Sequence, residues 1–271
     1  GAHVDISNSP TITTPAPDGR ALAISRMVSG NLDVWIGDTV RGALRRLTFG
    51  PESDSFTVFS PDGSRVVYQS DVKDTLSDLC ERRTDGTGSE TLLFATPDNE
   101  TPTDWSPDGR YILYRRESAK TDYDLWALPL FGDRKPFVVA QTMFEEQEGR
   151  FSPDGRWIAF QSNETGRNEI FVQPFPGPGP KVQVSVGGGN SPRWPRAGRE
   201  LFYVGPDNRV MAVSITARGS TISADAPRGL LTLREGDSYD AAPDGQRFLV
   251  NRVVSDVAPI TIVLNWGPPA R

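Results

Sequence analysis

The stretch Ser152-Pro153-Asp154-Gly155-Arg156 decides how this chain folds, because it returns along the sequence at a nearly constant interval. The prolines of its copies stand at positions 17, 61, 107, 153, 195 and 243, in steps of 42 to 48 residues. The copy around position 195 has lost its aspartate, whereas the others keep Pro-Asp-Gly. A repeat of this period is typical of proteins built from identical structural modules.

Each Pro-Asp-Gly unit predicts a tight turn. Proline presets the first corner, aspartate accepts a hydrogen bond from the backbone beyond it, and glycine adopts the positive φ that follows. Apolar residues flank the turn on both sides, as Phe151 and Trp157 do around the fourth copy. The turn is therefore expected to join two antiparallel strands in a hairpin, and its aspartate to be structural rather than catalytic.

Two further strands are predicted in each repeat. An acidic residue followed by apolar or aromatic positions begins a third strand, and a short fourth strand ends the repeat. Four strands in about 45 residues, repeated six times, predict an all-β fold, a six-bladed β-propeller of four-stranded antiparallel blades. The acids are expected to hold loop backbone N–H groups, and a ligand role in each blade is the alternative. They are Asp33, Asp78, Asp124 and Glu169.

The chain is predicted to form one domain over residues 1–271. The last repeat shows only three strands, and the segment 4–8 near the N-terminus has no blade of its own. Pairing of this N-terminal strand in the last blade would close the ring and remove exposed sheet edges. The fifth repeat carries a polar insertion at 216–228. The approximate blade limits are 11–48, 54–95, 100–140, 147–184, 190–233 and 238–266.

Composition excludes several classes of function. The net charge of −6 and the pI of about 5.0 argue against nucleic-acid binding, which needs a basic face. The single cysteine, Cys80, excludes an internal disulfide, and the single histidine, His3, leaves no Ser-His-Asp triad. No nucleophile elbow, P-loop or zinc-protease motif occurs, so no catalytic residue, metal site or cofactor is predicted. Catalysis by a pair of carboxylates stays open.

The sequence contains no run of about 18 apolar residues, so no membrane-spanning segment is predicted. The first residues lack the charged and then apolar pattern of a signal peptide. Gly1-Ala2-His3 looks like a remnant of cloning, and the chain is therefore expected to be part of a longer protein.

Acidic residues concentrate in the loops that join one repeat to the next. In a propeller these loops share one face, so one mouth of the central channel is predicted to be negative and to attract cations, amines or basic protein surfaces. We expect a protein, a peptide or a small ligand to bind there, and the protein to be a monomer. A purely structural placement is the alternative. The predicted mouth residues are Glu52, Asp54, Asp98, Glu100, Glu145, Glu146, Glu148 and Asp237.

A calcium ion in the loop 71–78 is a secondary hypothesis, because its acids do not have the spacing of an EF-hand loop.

Aligning the repeats on the turn reveals a second charged group. The position two residues before the Ser or Ala of the motif is expected to face the channel, since the next residue is usually aromatic and should fill the space between blades. Charged residues occupy this position in four repeats. Ion pairs between blades are the structural interpretation, and a zwitterionic ligand is the functional one. The four residues are Asp104, Arg150, Arg193 and Asp240.

The Ser-Pro-Asp-Gly-Arg turns and the acidic third strands resemble the WD40-like PD40 repeats of TolB and of the propellers of prolyl-oligopeptidase-type enzymes. The C-terminal half is similar to the C-terminal propellers of bacterial, notably acidobacterial, membrane-anchored serine/threonine kinases. This resemblance implies a sensor or interaction domain outside the membrane, in the periplasm or at the cell surface. The kinase motifs themselves are absent. The similar segments are 171–178, 192–194, 200–203, 246–251 and 262–266.

Two classes of function follow. The first is a non-catalytic propeller that binds a protein, peptide or small ligand, as part of a bacterial signalling protein or a TolB-like protein. The second is the propeller of a hydrolase, either the gating domain of a prolyl-oligopeptidase-type serine peptidase or a carboxylate-dependent enzyme. The parent gene distinguishes them, because a kinase with a membrane helix would precede the propeller in one case and a peptidase domain would follow it in the other.

Overall fold

The computed structural model describes residues 10–71, 76–177, 179–197, 200–219 and 221–252, with the backbone alone for residues 10–13. These residues form β-strands and one short 3₁₀ turn at Pro206–Asn208, and no α-helix occurs among them. The strands make six antiparallel sheets, four of which have four strands. The predicted all-β architecture of four-stranded antiparallel sheets is therefore confirmed.

The chain divides into two compact units, and the first contains residues 1–102 and 236–271. In its sheets each strand pairs with the next strand along the chain. The first sheet contains β1 (Pro10–Pro15), β2 (Ala21–Val28), β3 (Asn31–Asp38) and β4 (Leu44–Arg46). The second contains β5 (Asp54–Phe59), β6 (Arg65–Ser70), β7 (Asp78–Arg83) and β8 (Thr91–Phe94).

The second unit covers residues 103–235, and its boundary falls inside β9. The third sheet contains β9 (Asn99–Trp105), β10 (Tyr111–Ser118), β11 (Asp122–Pro129) and β12 (Phe137–Ala140). The fourth contains β13 (Glu146–Phe151), β14 (Trp157–Ser162), β15 (Glu169–Pro174) and β16 (Val182–Gln183).

The fifth sheet of the chain differs from the others. It contains β17 (Asn190–Arg193), β18 (Glu200–Val204), β19 (Arg209–Arg218), β20 (Thr221–Ala224) and β21 (Arg228–Thr232). The long strand β19 pairs with β20 through its second half and with β21 through its first half. The polar insertion predicted at 216–228 therefore extends β19 and adds β20 to it.

The turns have the geometry that their residues predict. In the fourth copy the N–H of Gly155 donates to the carbonyl of Ser152 (2.9 Å), and Asp154 Oδ1 accepts from the N–H of Arg156 (3.1 Å). Gly155 has a φ of +68°, and a Cβ there would lie 3.8 Å from Pro107 of the preceding turn. Because 3.8 Å is an ordinary contact, the positive φ rather than a lack of space favours glycine here.

The cores of both units lie between neighbouring sheets. In the first unit, Val34 of the first sheet belongs to one buried cluster with Val66 and Cys80 of the second sheet. In the second unit, Leu113 of the third sheet clusters with Phe160 of the fourth. Each sheet is therefore apolar on both faces near its centre, as sheets with a neighbour on each side must be.

The last sheet contains β22 (Ser238–Ala241) and β23 (Phe248–Asn251) and packs against the first sheet within the first unit. Leu249 of β23 forms a buried cluster with Leu22 and Ile24 of β2. The strands predicted at 4–8 and 259–266, and with them the predicted pairing that would close a ring, lie outside the described residues. The number of blades and the single-domain organisation stay predictions.

Candidate functional site

A β-bulge recurs in the first strand of three sheets. The pairing register shifts in β5, β13 and β17, and at each shift one residue other than glycine adopts a φ of 50–53°. These residues are Phe56, Glu148 and Ser191. An extra residue in one strand bends it and redirects its side chains. The bulge is thus a property of the repeat, and the side chains near it differ from sheet to sheet.

At the bulge of β13 a carboxylate lies between two guanidinium groups. Glu148 Oε2 is 3.3 Å from Arg193 Nη1 of β17 and 3.7 Å from Arg150 Nη2 of β13. The side chains of Arg193 and Arg150 are 16% and 19% exposed, whereas that of Glu148 is 34% exposed. Burial acts to raise the pKa of Glu148, but the two arginines outweigh it and hold this pKa below its usual value.

Asp104 of β9 belongs to the same charged group. Its Oδ2 accepts a hydrogen bond from the N–H of Phe151 in β13 (2.7 Å), and its Oδ1 accepts one from the N–H of Trp105 (2.8 Å). Burial raises the pKa of Asp104, although the charge of Arg150 acts in the opposite direction. The carboxylate therefore joins the third sheet to the fourth and balances part of the arginine charge.

Three of the four predicted channel residues are thus brought together in the second unit, namely Asp104, Arg150 and Arg193. The fourth, Asp240, belongs to the first unit, and its Oδ1 accepts a hydrogen bond from the N–H of Ala241 (2.7 Å). The geometry of Asp240 repeats that of Asp104, whose carboxylate binds the N–H of the following residue in the same way. The charge of Arg196 also acts on the carboxylate of Asp104. We call Asp104, Glu148, Arg150, Arg193 and Arg196 the charged cluster.

Besides Glu148 of β13, three more of the predicted mouth residues lie in strands rather than on loops. Asp54, Glu100 and Glu146 are the first or second residues of β5, β9 and β13 and are at most 2% exposed. Glu100 accepts a hydrogen bond from the hydroxyl of Thr96, and Glu146 accepts one from Thr142 (2.6 Å). A ligand on the surface would not contact these carboxylates, because each is enclosed by its own sheet and loop.

Burial shifts the pKa of two of these acids, Asp54 and Glu146. Burial raises the pKa of Asp54 to about 6, while the hydroxyls of Ser70 and Thr48 act in the opposite direction. Asp54 Oδ1 is buried without a hydrogen-bond partner, so nothing on that side stabilises its negative charge. Burial also raises the pKa of Glu146, and the hydroxyl and N–H of Thr142 oppose this effect.

The remaining predicted mouth residues are three half-buried acids and one acid that is already paired. Glu52, Asp98 and Glu145 are half-buried, and Glu145 Oε2 accepts a hydrogen bond from Gln147 Nε2 (2.7 Å). Asp237 is 2% exposed and forms a two-pronged ion pair with Arg252, with distances of 2.8 and 3.1 Å. Its charge is therefore already neutralised, and the negative surface is smaller than the sequence suggested.

The acid that begins the third strand has the structural role that the sequence predicted in at least one repeat. Glu169 Oε1 accepts hydrogen bonds from the N–H groups of Gly187 (2.8 Å) and Gly188 (2.9 Å) in the following loop. Asp33 is paired with Arg46 instead (2.8 Å). The loop 71–78, considered for calcium, contains residues 72–75, which lie outside the described part of the chain.

Few groups in the described residues could act as nucleophiles. Cys80 is fully buried, and burial raises the pKa of its thiol to about 12. Among the ranges that the structure describes, no group of three or more His, Cys, Asp or Glu side chains is arranged to hold a metal ion. What the charged cluster can do chemically is to bind charged groups of a ligand by ion pairs and hydrogen bonds.

Comparison with known proteins shows the fold. No protein-family model matches the chain, and no curated protein does. A TolB-type protein from Agrobacterium tumefaciens has a TM-score of 0.66 at 18% identity, with 82% of each chain covered. TolB from Acinetobacter baumannii has a TM-score of 0.61 at 16% identity, with 82% of this chain and 55% of that chain covered.

A prolyl endopeptidase has a TM-score of 0.58 at 13% identity, with 90% of this chain and 39% of that chain covered. The chain therefore spans little more than half of the Acinetobacter protein and about two fifths of the peptidase. The fold is that of a TolB-like β-propeller. Within the described residues, no helix has the length and apolar character that crossing a membrane requires.

Proposed function

We propose that this chain is a non-catalytic binding propeller and that the charged cluster of the second unit is its recognition site. The observation that carries the proposal is the position of Glu148, whose carboxylate is held between Arg193 and Arg150 while remaining the most exposed of the three side chains. A ligand that carries both a positive and a negative group can replace these ion pairs. Its cation binds the carboxylate of Glu148, and its carboxylate binds one of the two arginines.

The energetics of buried charge support a role beyond holding two sheets together. Ion pairs that are removed from water gain little net stability, because the loss of hydration offsets their attraction, and apolar residues of similar size are often as stable. The third and fourth sheets already share an apolar cluster that includes Leu113 and Phe160. Charged side chains at this position are therefore better explained by a binding role than by stability.

The ligand class proposed for this site is a peptide segment with both acidic and basic side chains. The half-buried Glu145 directly precedes β13 and adds a further acceptor for a basic side chain. The backbone of a neutral peptide would gain no hydrogen bonds at this site that it does not already make with water. The charges of the peptide side chains should therefore determine its affinity.

Fluorescence polarisation with labelled peptides tests this proposal. A peptide of alternating glutamate and lysine should bind the wild type, and a glycine-serine peptide of equal length should not. Arg193→Gln removes one charge-assisted hydrogen bond to the ligand and should weaken binding by about tenfold or more. Arg156→Gln is the matched control, because it removes an arginine that pairs with Asp154 on an exposed turn, and it should leave the affinity unchanged.

Two results would contradict the proposal. One is that the mixed-charge peptide does not bind the wild type. The other is that Arg193→Gln and Arg156→Gln bind it equally well, because binding would then reflect overall charge rather than the cluster.

We further propose that the propeller works outside the cytoplasm as the interaction domain of a longer bacterial protein, such as a membrane-anchored serine/threonine kinase. The likeness to two TolB structures and the resemblance of segments such as 171–178 and 246–251 to kinase propellers support this placement. The parent reading frame tests it. A kinase domain followed by a membrane helix upstream of residue 1 is the expected arrangement, and a chain that lacks both would contradict it.

The alternative is the propeller of a hydrolase, which the likeness to a prolyl endopeptidase favours. In that case the parent reading frame would encode a serine-peptidase domain, and the propeller would limit access to its active site. Peptidase activity of the full-length protein, lost when the nucleophile of that domain is replaced, would support this alternative over the first.

A further inference from the structure

The repeat contains one position that controls how the space between neighbouring sheets is filled. This position is that of the residue directly after the third strand. The backbone N–H of that residue donates a hydrogen bond to the carbonyl of the residue that follows the glycine of the turn. The four hydrogen bonds are equivalent and 2.8 or 2.9 Å long: Thr39 to Arg20, Thr84 to Ser64, Leu130 to Arg110 and Phe175 to Arg156. These residues therefore occupy the same place in four successive sheets.

In the second unit a phenylalanine at this position fills the space between two sheets. Phe175 is 8% exposed, and its ring lies 5.1 Å from Tyr111 and 5.0 Å from Phe151, both edge to face. It also stacks on Phe137 at 5.9 Å. One ring from the fourth sheet thus occupies the slot between the third and fourth sheets.

In the first unit, the described residues place no aromatic side chain at three equivalent positions of the slot between the last sheet and the first. Thr39 stands in place of Phe175, and its hydroxyl is bound to the carbonyl of Gly19 (2.9 Å). The turn hydrogen bonds place Pro15 where the fourth sheet has Phe151, and Arg247 where the third sheet has Tyr111. Among the residues that the structure describes, Thr39, Pro15 and Arg247 thus stand where the other slot has Phe175, Phe151 and Tyr111.

A cavity of about 320 Å³ lies in this slot. Leu22, Phe248 and Leu249, all at most 7% exposed, form its apolar floor, and Pro15 and Pro243 line its sides. Val40 is 75% exposed and also lines the cavity. Cavities of this size with apolar walls and a few polar groups are typical of small-molecule sites.

Three charged residues line this cavity, namely Asp18, Arg20 and Arg247. Asp18 Oδ1 accepts a hydrogen bond from the backbone N–H of Arg20 (2.9 Å), and the guanidinium of Arg247 is paired with Asp244 (2.9 Å). The equivalent arginine of the fourth sheet, Arg156, is likewise paired with Asp154 (2.7 Å). In the described part of the chain no carboxylate pairs with the guanidinium of Arg20. An exposed guanidinium that is paired with no described carboxylate, beside an apolar cavity, favours a ligand with a carboxylate on an apolar body.

We propose that the slot between the last and the first sheet binds an aryl carboxylate. The aromatic ring occupies the place that Phe175 takes in the equivalent slot, resting on Phe248 and Leu249, and the carboxylate binds Arg20. The same chemistry is offered by a free aromatic acid and by a peptide that ends in phenylalanine. This site is separate from the charged cluster, which belongs to the other unit.

Isothermal titration calorimetry on the full chain tests the proposal with hydrocinnamate and with N-acetyl-glycyl-glycyl-phenylalanine. Binding of either acid supports the site, and the tighter of the two identifies the source of the ligand. Hydrocinnamamide, which keeps the ring and lacks the charge, should bind at least about tenfold more weakly than hydrocinnamate. If neither acid binds, or if the amide binds as tightly as the acid, the proposal is wrong.

Two variants locate the binding. Arg20→Gln should lower the affinity for the acid at least about tenfold, while the matched variant Arg156→Gln, at the equivalent turn position of the fourth sheet, should not change it. Thr39→Phe places in the slot the ring that the fourth sheet has there and should abolish binding. Equal affinities of Arg20→Gln and Arg156→Gln would overturn the proposal, and this test holds even if Thr39→Phe does not fold.

Discussion

Replacing Asp54 by asparagine should remove a specific pH dependence from the stability of this protein. Asp54 is 2% exposed, its Oδ1 is buried without a hydrogen-bond partner, and burial raises its pKa from 3.8 to about 6. The folded state therefore keeps a proton that the unfolded state releases as the pH rises through this window. The stability that protonated Asp54 contributes at low pH is lost as the pH rises from 3.8 to about 6.

The size of the effect follows from the same shift. A pKa raised from 3.8 to about 6 corresponds to about 3 kcal/mol of stability lost across the window. An asparagine side chain cannot ionise, so the Asp54→Asn protein should not show this loss. Its free energy of unfolding relative to wild type should therefore rise by up to about 3 kcal/mol between acidic and neutral pH.

Urea denaturation of both proteins across this pH range measures the difference directly, since all other titrating groups are shared. The Asp62→Asn variant is a control in which the pH dependence of the stability difference from wild type should have the opposite sign. The hydroxyl of Ser60 and the N–H and hydroxyl of Ser64 hold the pKa of Asp62 at about 2, so Asp62 stabilises the fold above its unfolded pKa and this stability is lost on acidification. A constant difference between wild type and Asp54→Asn at every pH would refute the reasoning.

Three further changes should have measurable effects. Phe175→Ala removes a ring that is 8% exposed and touches three aromatic neighbours, so chemical denaturation should show a loss of about 3 kcal/mol or more, and an unchanged midpoint would contradict this packing. Gly155→Ala forces a φ of +68° on alanine and should cost about 1 kcal/mol in thermal unfolding, whereas a gain in stability would argue against that conformation. The thiol of Cys80, buried and with its pKa raised to about 12, should react with a thiol reagent only in urea, and rapid labelling of the folded protein would show that it is accessible.

The strands and turns were predictable because their causes are local. Pro153, Asp154 and Gly155 determine a turn through their own backbone preferences, whatever the rest of the chain does. The apolar residues on either side of the turn then predict strands. Successive side chains of a strand point to opposite faces of the sheet, and both faces are buried when the sheet has a neighbour on each side. This is why an all-β repeat could be inferred before any contact was known.

The burial of Asp54, Glu100 and Glu146 does not follow from their charge, because charged side chains usually lie on exposed loops. Glu100 and Glu146 each follow a threonine by four residues, and that threonine donates its hydroxyl to them. The recurring Thr-x-x-x-Glu spacing was a usable signal for a buried carboxylate with a local partner. In the second sheet the hydroxyl of Thr48, six residues before Asp54, acts to lower the pKa of that acid, and this spacing does not match the pattern.

The pairing of Glu148 with Arg193 could not be found from the sequence. The two residues are 45 positions apart, and their contact depends on β-bulges in both β13 and β17. A bulge shifts the side-chain alternation by one residue, so counting positions from the turn does not give the correct neighbours. The cavity beside Thr39 has a different origin, since it depends on which side chains stand at the equivalent positions Thr39, Pro15 and Arg247 of two neighbouring sheets.

The central claim is that the charged cluster of the second unit binds a ligand. Amide hydrogen exchange of the wild type with and without the alternating glutamate-lysine peptide tests it most directly. We predict that exchange slows in the strands that carry the cluster, Glu146–Phe151 and Asn190–Arg193. Protection confined to the Pro-Asp-Gly turns, or no protection at saturating peptide, would contradict the account.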